Sequence, residues 1–464
     1  MDKAIIRIEK VFLCNIKNVV DGSISLNKVG EDTFGASIIG IYGQNGSGKT
    51  ALIWAIELIK DAISGTSLPS DTFFYIRQQA QTATIKVELL MNFGDRDYNI
   101  FYTLTIGKTD NEKVQILFEG IDFSSKAQNG LARINKTRIL GIDFPNNTTD
   151  IDECFYIPES RIVEMTSKDK QIRQKLLVLQ ALAHEKTTSF IFNDKMMNLL
   201  RASFENPIYF RILETMLFYG RMNLFVLNKN SESSFNMNLL PLSMRLSSKD
   251  SITKCDSVPV GLGQNATDAE TFKTVQQIIN QIDILLGSII PGLNVDIKQK
   301  APQLNEKGEE QIVFELVSNR SGVITPLRYE SEGIKKILCI LSSLIAMYND
   351  ESIFVAIDEM DSGIFEYLLG EILDIINKTG KGQLLFTSHN MRPLEVLENT
   401  NIYFTTTNPD NKYIQFTGIK ANHNLRTTLL RTIDLGGQKE SVYENTSSYQ
   451  IGKAFRKAGV LVND

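Results

Sequence analysis

The stretch Gly43-Gln44-Asn45-Gly46-Ser47-Gly48-Lys49-Thr50 decides the fold of this 464-residue chain. It matches the phosphate-loop pattern GxxxxGK[ST] at every fixed position. The apolar run Ser37–Tyr42, which favours a strand, leads directly into it. Apolar residues at helical spacing follow it, namely Leu52, Ile53, Ile56 and Ile59. A strand, a glycine-rich loop and a helix in this order predict a nucleotide-binding P-loop in an α/β protein.

Each residue type in the loop has a role in binding ATP and Mg²⁺. Glycines allow backbone N–H groups to curl around phosphate oxygens, and the helix N-terminus adds its partial positive charge. We therefore expect the loop to bind ATP with the residues Gly43, Asn45, Gly46, Ser47, Gly48, Lys49 and Thr50. Lys49 is predicted to act on the β- and γ-phosphates, and the Thr50 hydroxyl is predicted to bind Mg²⁺.

A second chemical element lies far along the chain, at Ile353-Phe354-Val355-Ala356-Ile357-Asp358-Glu359. Five apolar residues predict a strand that is buried on both faces. Asp358 follows at its carboxyl end, where parallel sheets bind ligands. We expect Asp358 to hold Mg²⁺ through water and Glu359 to polarise the attacking water as the catalytic base.

Two further positions complete the candidate site. His389 follows the predicted strand Gln383–Thr387, and from there it can reach the γ-phosphate as a third catalytic residue. Ser331-Glu332-Gly333 opens the apolar helix before the Asp-Glu strand. Ser331 is a sound N-cap residue, and Ser331 with Gly333 also forms a phosphate-binding surface, so both interpretations can hold together.

The remaining pattern predicts an α/β chain with an antiparallel patch and a helical middle. Strands are predicted at Ala4–Ile8, Thr82–Met91, Tyr98–Ile106, Lys113–Phe118, Leu293–Ile297 and Gln311–Val317. Helices are predicted at Gln171–Ala183, Asp194–Phe204, Tyr209–Phe225, Phe365–Ile376, 266–286 and 332–347. Residues 120–152 and 229–265 are polar and are expected to be loop and linker.

Composition excludes several classes of protein. The net charge of −5 argues against a general polyanion binder, and four cysteines without a CxxC pair argue against a zinc site. The N-terminus has no apolar signal core, and the apolar run Ile337–Met347 is too short to span a bilayer. We therefore expect a cytoplasmic protein without a membrane partner.

Taken in order, these four elements resemble the ABC ATPase superfamily, and more narrowly its SMC-like and OLD-like branch. Leu13–Val19 is similar to the branch's first strand and turn, and Met360–Gly363 to its D-loop. The resemblance covers residues 1–120 and 290–420. It implies an ABC-type ATPase head with a mixed or parallel P-loop sheet, an antiparallel β patch and a helical insertion. The implied divisions are residues 1–120 and 291–420 for the head, 121–290 for the insertion and 421–464 for a C-terminal extension.

The resemblance also implies partners. In such a homodimer or higher homo-oligomer, Ser331 and Gly333 contact the γ-phosphate held by the other subunit. Here Ser331-Glu332-Gly333-Ile334-Lys335-Lys336 departs from the usual Ser-Gly-Gly-Gln core, with an acidic residue in place of a glycine. The stretch from Tyr329 to Tyr403–Pro409 resembles ATPase subunits of two-gene phage-defence systems of the PARIS, Septu or AbiL types. That implies a separate effector chain, a nuclease, with DNA or a phage protein as trigger.

Several alternatives stay open at this point. A DNA-repair ATPase of the SMC type is the second hypothesis, while the late signature and the insertion argue against a transporter ATPase. Glu159 and Gln79 both remain candidates for the Q-loop position. The window Ser160–Lys175 is rich in basic residues, which favours a solvated helix face over a DNA contact.

Overall fold

The computed structural model describes most of the chain. The described residues are 4–26, 34–94, 96–109, 111–143, 158, 165, 169–204, 206–228, 239–247, 252–419 and 424–460. Within these ranges, no helix combines the length and the apolar character needed to cross a membrane.

A six-stranded sheet carries the P-loop at its centre. Its strands are β3 (Ser37–Tyr42), β8 (Leu224–Leu227), β16 (Phe354–Ile357), β17 (Gln383–Thr387), β18 (Ile402–Thr405) and β19 (Tyr413–Ile414). Their order across the sheet is β19-β18-β3-β17-β16-β8. All neighbours are parallel except the edge pair β18 and β19. Parallel strands end at the same edge, so the residues after β3, β16 and β17 meet there.

The central strands of this sheet are buried on both faces, which explains their continuous apolar sequence. Alternate residues of β3 enter different cores: Ile39 and Ile41 pack in one, and Ile38 and Tyr42 in the other. The first core lies under helix α1 (Lys49–Ser64) and an antiparallel sheet. The second contains the apolar faces of the helices on the opposite side.

The antiparallel sheet comprises β1 (Ile5–Ile16), β2 (Val19–Ser25), β4 (Thr82–Asn92), β5 (Asp97–Lys108), β6 (Val114–Ser125) and β7 (Ile134–Asp143), in the order β2-β1-β4-β5-β6-β7. Strand β1 joins it to the parallel sheet. The Gln383 side chain accepts from the Ile8 N–H and donates to the Ile8 carbonyl, at 2.8 Å each. The buried Arg7 guanidinium donates to the carbonyls of Lys381 and Gly35. These contacts fix the two sheets to each other at the edge opposite the P-loop.

The helices on the first core are α2 (Ile172–Lys186), α3 (Asp194–Ser203) and α4 (Pro207–Met222). On the second side lie α5 (Ala269–Ile289), α6 (Glu332–Asn349) and α7 (Glu366–Thr379). A short helix α8 (Pro393–Val396), α9 (Leu425–Leu435) and α10 (Ser448–Val460) follow. The six predicted helices are thus confirmed within a few residues, except that Phe225 lies in β8 and that Ala266 and Thr267 lie in a strand before α5.

The prediction of a loop over 120–152 is wrong within its described part, because β6 continues to Ser125 and β7 follows. β7 is an edge strand whose first half is mainly polar, as exposed edges favour. Its second half buries Ile139, Leu140 and Ile142 against the sheet. The strand is therefore defined by pairing with β6 and not by its own composition.

The prediction of a linker over 229–265 is also wrong in its described part. Strands β9 (Leu239–Ser247) and β10 (Ile252–Gly261) pair antiparallel, and β11 (Gln264–Thr267) pairs with β14 (Glu310–Arg320). β14 also pairs with β12 (Leu293–Gln299), β13 (Gln303–Leu304) and β15 (Val323–Pro326). The buried side chains of Leu240, Leu242 and Val260 join the second core.

Candidate active site at the P-loop

The P-loop backbone has the glycine-dependent conformation that the sequence predicted. Gly46 and Gly48 have φ values of 74° and 109°, in the left-handed region. Gly43 must be glycine for a steric reason, because a Cβ at this position would lie 1.7 Å from the Thr405 hydroxyl oxygen. The loop ends in α1, whose first turn contains Lys49 and Thr50. The loop therefore lies at a helix N-terminus, where backbone N–H groups are available to bind an anion.

Lys49 is almost fully buried and turns back over its own loop. Its ammonium donates to the carbonyls of Gly43 at 2.8 Å and Gln44 at 3.0 Å. The charge is thereby held inside the loop, where a phosphate group would contact it.

Residues more than 350 positions later hold the loop in place. The Tyr413 hydroxyl donates to the Gly48 carbonyl at 2.8 Å, and the Thr405 hydroxyl lies 2.5 Å from that of Ser47. The Asn18 side chain also donates to the Gly46 carbonyl. A loop with so many tertiary contacts is preorganised for its ligand.

Asp358 lies where β16 ends, beside the P-loop threonine. The hydroxyl of Thr50 is 3.3 Å from Asp358 Oδ1, and the hydroxyl of Thr387 donates to the same oxygen at 2.6 Å. Asp358 is only 4% exposed. The structure thus brings together the two residues predicted to hold a metal, which come from opposite ends of the chain.

Glu359 has an unusual backbone conformation. Its φ of 48° lies in the left-handed region, which is uncommon for a residue with a side chain. Two contacts hold it: its N–H donates to the Thr387 hydroxyl at 2.7 Å, and its carbonyl accepts from the Lys336 ammonium at 2.6 Å. Backbone strain of this kind is typical of catalytic positions and persists only where the surroundings enforce it.

His389 is exposed and lies near the same cluster. Its backbone N–H donates to Asp361 Oδ2 at 3.1 Å, which fixes the turn after β17. Partial burial lowers the pKa of its imidazole, and the positive charge of Lys49 lowers it further, while Asp361, Glu359 and Asp358 oppose the shift. The ring is therefore predominantly neutral at pH 7 and can donate one hydrogen bond.

Ser331 and Gly333 occupy the first turn of α6. The Ser331 side chain accepts from the Ile334 N–H at 3.3 Å, so the N-cap interpretation is realised. A Cβ on Gly333 would lie 2.1 Å from the Gly363 carbonyl oxygen. Gly333 therefore has a structural role within this chain, packing against the loop that follows Glu359.

A cavity of about 900 Å³ opens beside the P-loop. Its lining includes Trp54, which stacks on Tyr75 with ring centroids 4.7 Å apart. The Lys17 ammonium lies 4.0 Å from the centre of the Trp54 ring, and burial lowers the pKa of Lys17 despite the opposing charge of Asp71. Gln79 lines this cavity, whereas the other Q-loop candidate, Glu159, lies outside the described residues.

The basic window is only partly described. Arg161 and Lys168 lie outside the described residues, and Lys175 forms an ion pair with Asp169. An ion pair of this kind is typical of a solvated helix end.

Sequence reasoning missed the residues that position the site. Thr387 and Lys336 hold Asp358 and Glu359, while Thr405 and Tyr413 hold the P-loop. The only signal in the sequence was Thr387 at the end of a buried strand. The others become recognisable only once the two ends of the chain are placed side by side.

Two family models match the sequence. One, described as "AAA domain", matches residues 10–307 and includes the P-loop. The other, described as "AAA domain, putative AbiEii toxin, Type IV TA system", matches residues 260–395 and includes Ser331, Asp358, Glu359 and His389. No curated protein matches the sequence.

Solved structures resemble the chain at low identity. An Smc head domain bound to the C-terminal domain of ScpA from Pyrococcus furiosus is 12% identical, with 93% of this chain and 100% of that one covered and a TM-score of 0.39. The SMC head domain from Thermotoga maritima is 12% identical, with 88% and 99% covered and a TM-score of 0.36. The recombination mediator protein RecF with ATP is 12% identical, with 83% and 94% covered and a TM-score of 0.34.

Proposed function

The chain belongs to the AAA domain family, whose model matches residues 10–307, and on that premise we propose that it is the ATP-hydrolysing subunit of an anti-phage defence complex. The chain itself is an ATPase with an α/β fold. In the proposal it controls a separate effector, a nuclease, through ATP-dependent assembly, with DNA or a phage protein as trigger. The match of residues 260–395 to the family described as "AAA domain, putative AbiEii toxin, Type IV TA system" supports the defence role in this proposal.

The proposed chemistry begins with phosphate binding. The N–H groups of Gly43–Thr50 and the Lys49 ammonium surround the phosphates, and Lys49 exchanges its contacts with the Gly43 and Gln44 carbonyls for phosphate oxygens. Trp54 and Lys17 line the cavity beside the loop and are placed to contact the remainder of the nucleotide.

The donor set at Thr50 and Asp358 fits Mg²⁺. A hydroxyl and a carboxylate oxygen 3.3 Å apart are hard oxygen ligands of the type that Mg²⁺ prefers, directly or through water. When bound there, the metal would neutralise the negative charge that develops on the phosphates.

Glu359 and His389 would act on the reacting atoms. The Glu359 carboxylate orients and polarises the attacking water, in the general-base role that a carboxylate can fill. His389, predominantly neutral at pH 7, donates a hydrogen bond to the γ-phosphate. Both residues lie at the edge of the sheet that also carries Lys49 and Asp358.

The proposed assembly is a homodimer or a higher oligomer in which Ser331 and Gly333 face the nucleotide of another subunit. We place the complex in the cytoplasm, which fits the free thiols of Cys14 and Cys339. In this arrangement Ser331 and Gly333 complete the site of another subunit, so an isolated protomer would hydrolyse ATP slowly.

The test uses the full chain and its Glu359→Gln variant. The variant should bind ATP as the wild type does but hydrolyse it roughly 100-fold more slowly, since general-base catalysis contributes about 10²–10⁴-fold. Light scattering should show an ATP-bound dimer that accumulates in the variant. Equal hydrolysis rates in the two proteins would refute the assignment of Glu359.

The defence role has a separate test. A gentle pull-down of the ATP-loaded Glu359→Gln variant from native cells should recover one nuclease chain in stoichiometric amount. ATP-dependent retention on duplex DNA, without such a chain, would instead favour the DNA-repair hypothesis.

A further inference from the structure

Helix α10 has exposed apolar side chains. Ile451 and Phe455 are one helical turn apart and are 46% and 76% exposed. Its charged residues are Lys453, Arg456 and Lys457, without an acidic residue. A helix of 13 residues is marginally stable alone in water, so a basic helix with an uncovered apolar stripe is suited to bind another surface.

The segment before α10 is firmly attached beside the P-loop. We call Glu440–Glu444 the C-terminal strap. The Gln44 side chain accepts from the Glu444 N–H at 3.0 Å and lies 3.5 Å from its carbonyl. Val442 is buried, and Thr407 N–H donates to the Ser441 carbonyl at 2.8 Å. Because α10 starts four residues after Glu444, the strap places it at the edge of the nucleotide site.

A complementary face exists on α7. Tyr367, Glu371 and Ile375 recur at four-residue spacing, and all three side chains are exposed. Phe365, just before the helix, is 72% exposed. Glu366 and Asp374 add negative charge to this face, where Lys378 pairs with Asp374. Arg392, which pairs with Glu395, lies over the Tyr367 ring. The face is therefore apolar and acidic, where α10 is apolar and basic.

We propose that α10 of one copy of this chain docks on the exposed face of α7 of a second copy. The apolar stripe of α10 covers Tyr367 and Ile375, and its basic residues lie against Glu366, Glu371 and Asp374. The inference rests on the homodimer of the proposed function and adds the surface that holds it together. It commits to a second copy because the matching chemistry is present on this same chain.

The positions of the two faces agree with such a dimer. The C-terminal strap that precedes α10 is bonded to Gln44 of the P-loop, whereas α7 follows the loop Met360–Gly363 behind Glu359. Phe455, Phe365 and Tyr367 are all exposed, which shows that the two faces do not cover each other within one chain. A head-to-tail pair, with each P-loop facing the α6 and α7 side of the other copy, would bring them together twice.

The test is a charge exchange measured by light scattering with a non-hydrolysable ATP analogue. Reversal of α10 (Lys453→Glu, Arg456→Glu, Lys457→Glu) and reversal of α7 (Glu366→Lys, Glu371→Lys, Asp374→Lys) should each raise the dimer dissociation constant about tenfold or more. The chain that carries both reversals should regain an affinity close to that of the wild type. Phe455→Ser should also weaken the dimer, whereas Ile284→Ser, equally exposed on α5, should not.

The outcomes separate this inference from the function on which it rests. A wild-type chain that stays monomeric with the analogue contradicts the dimer itself. A dimer that all variants form equally well, or a double reversal that restores nothing, overturns the α10–α7 contact alone.

A photo-crosslinking residue at position 455 identifies the occupant directly. In a mixture of isotope-labelled and unlabelled copies, crosslinks to residues 365–378 of the other copy support the inference. Crosslinks within one copy, or to a different protein, contradict it. Thermal unfolding of each variant checks that these surface changes leave the fold intact.

Discussion

Two helix N-termini in this molecule contain glycine, and their glycines are there for different reasons. In the P-loop, Gly46 and Gly48 adopt left-handed φ values, so the backbone conformation itself requires glycine. In the first turn of α6, glycine is required at position 333 because Gly363 packs against it. A Cβ on Gly333 would lie only 2.1 Å from the Gly363 carbonyl oxygen. The first requirement is local, and the second arises only from tertiary contact.

The contrast explains why the P-loop matches its pattern at every fixed position, whereas the turn at Ser331 and Gly333 matches the family pattern only in part. A loop that must bind phosphate with its own backbone leaves the same spacing in any sequence. The turn Ser331–Lys336 departs from the usual pattern, and its contacts connect it to the residues after β16. Lys336 reaches the Glu359 carbonyl, and Gly333 reaches Gly363. This turn therefore supports Glu359, the proposed catalytic base, within its own chain, whatever it contacts in a partner.

The largest expected effect is at the P-loop, from Lys49→Ala. Removing a buried charge that is proposed to contact phosphate should weaken ATP binding by roughly 100-fold or more, since such losses cost about 2–5 kcal/mol. Calorimetric titration with ATP measures it. Unchanged affinity would show that the loop does not bind nucleotide in the proposed way.

The second effect tests the α6 turn, through Gly333→Ala. The added methyl group must displace the Gly363 carbonyl, which should lower the free energy of unfolding by about 1–3 kcal/mol. Hydrolysis should slow while ATP affinity at the P-loop stays unchanged. Gly287→Ala in α5 is the matched control, because its nearest neighbour atom lies 3.8 Å away. Chemical denaturation and steady-state kinetics of both variants provide the comparison.

A smaller effect is expected from Lys336→Met, which keeps the length of the side chain but removes its ammonium. The Glu359 carbonyl loses one donor, so its strained backbone should relax and kcat should fall about tenfold with little change in KM. Lys336→Arg can still donate and should recover much of the rate. Equal kcat in all three proteins would mean that Lys336 does not position Glu359.

The smallest effect separates the two interpretations of Ser331. If Ser331 acts only as an N-cap, Ser331→Ala should lower the free energy of unfolding by about 1 kcal/mol. Ser331→Asp should restore that stability, because aspartate also caps helices. If Ser331 additionally contacts the phosphate of a partner subunit, Ser331→Asp should remain slow in hydrolysis because of charge repulsion. Thermal unfolding and ATPase rates measured on the same samples distinguish the two.

Much of the architecture could be predicted from local pattern. β3 and β17 have the predicted bounds Ser37–Tyr42 and Gln383–Thr387, because strands buried on both faces must be continuously apolar. β7 and the β9–β10 hairpin could not be predicted, since their sequences mix polar and apolar residues and pairing defines them.

Local sequence pattern is sufficient to predict the P-loop, the strand that ends in Asp358 and Glu359, and the α/β alternation around them. Each of these depends on short-range rules of backbone conformation and apolar periodicity. Only the tertiary structure decided that Thr50 meets Asp358 and that Thr387 and Lys336 hold the residues after β16. It also decided that Gln44 binds the C-terminal strap. Such contacts join residues that are tens to hundreds of positions apart, so they depend on how the strands are ordered in the sheet, which no local pattern encodes.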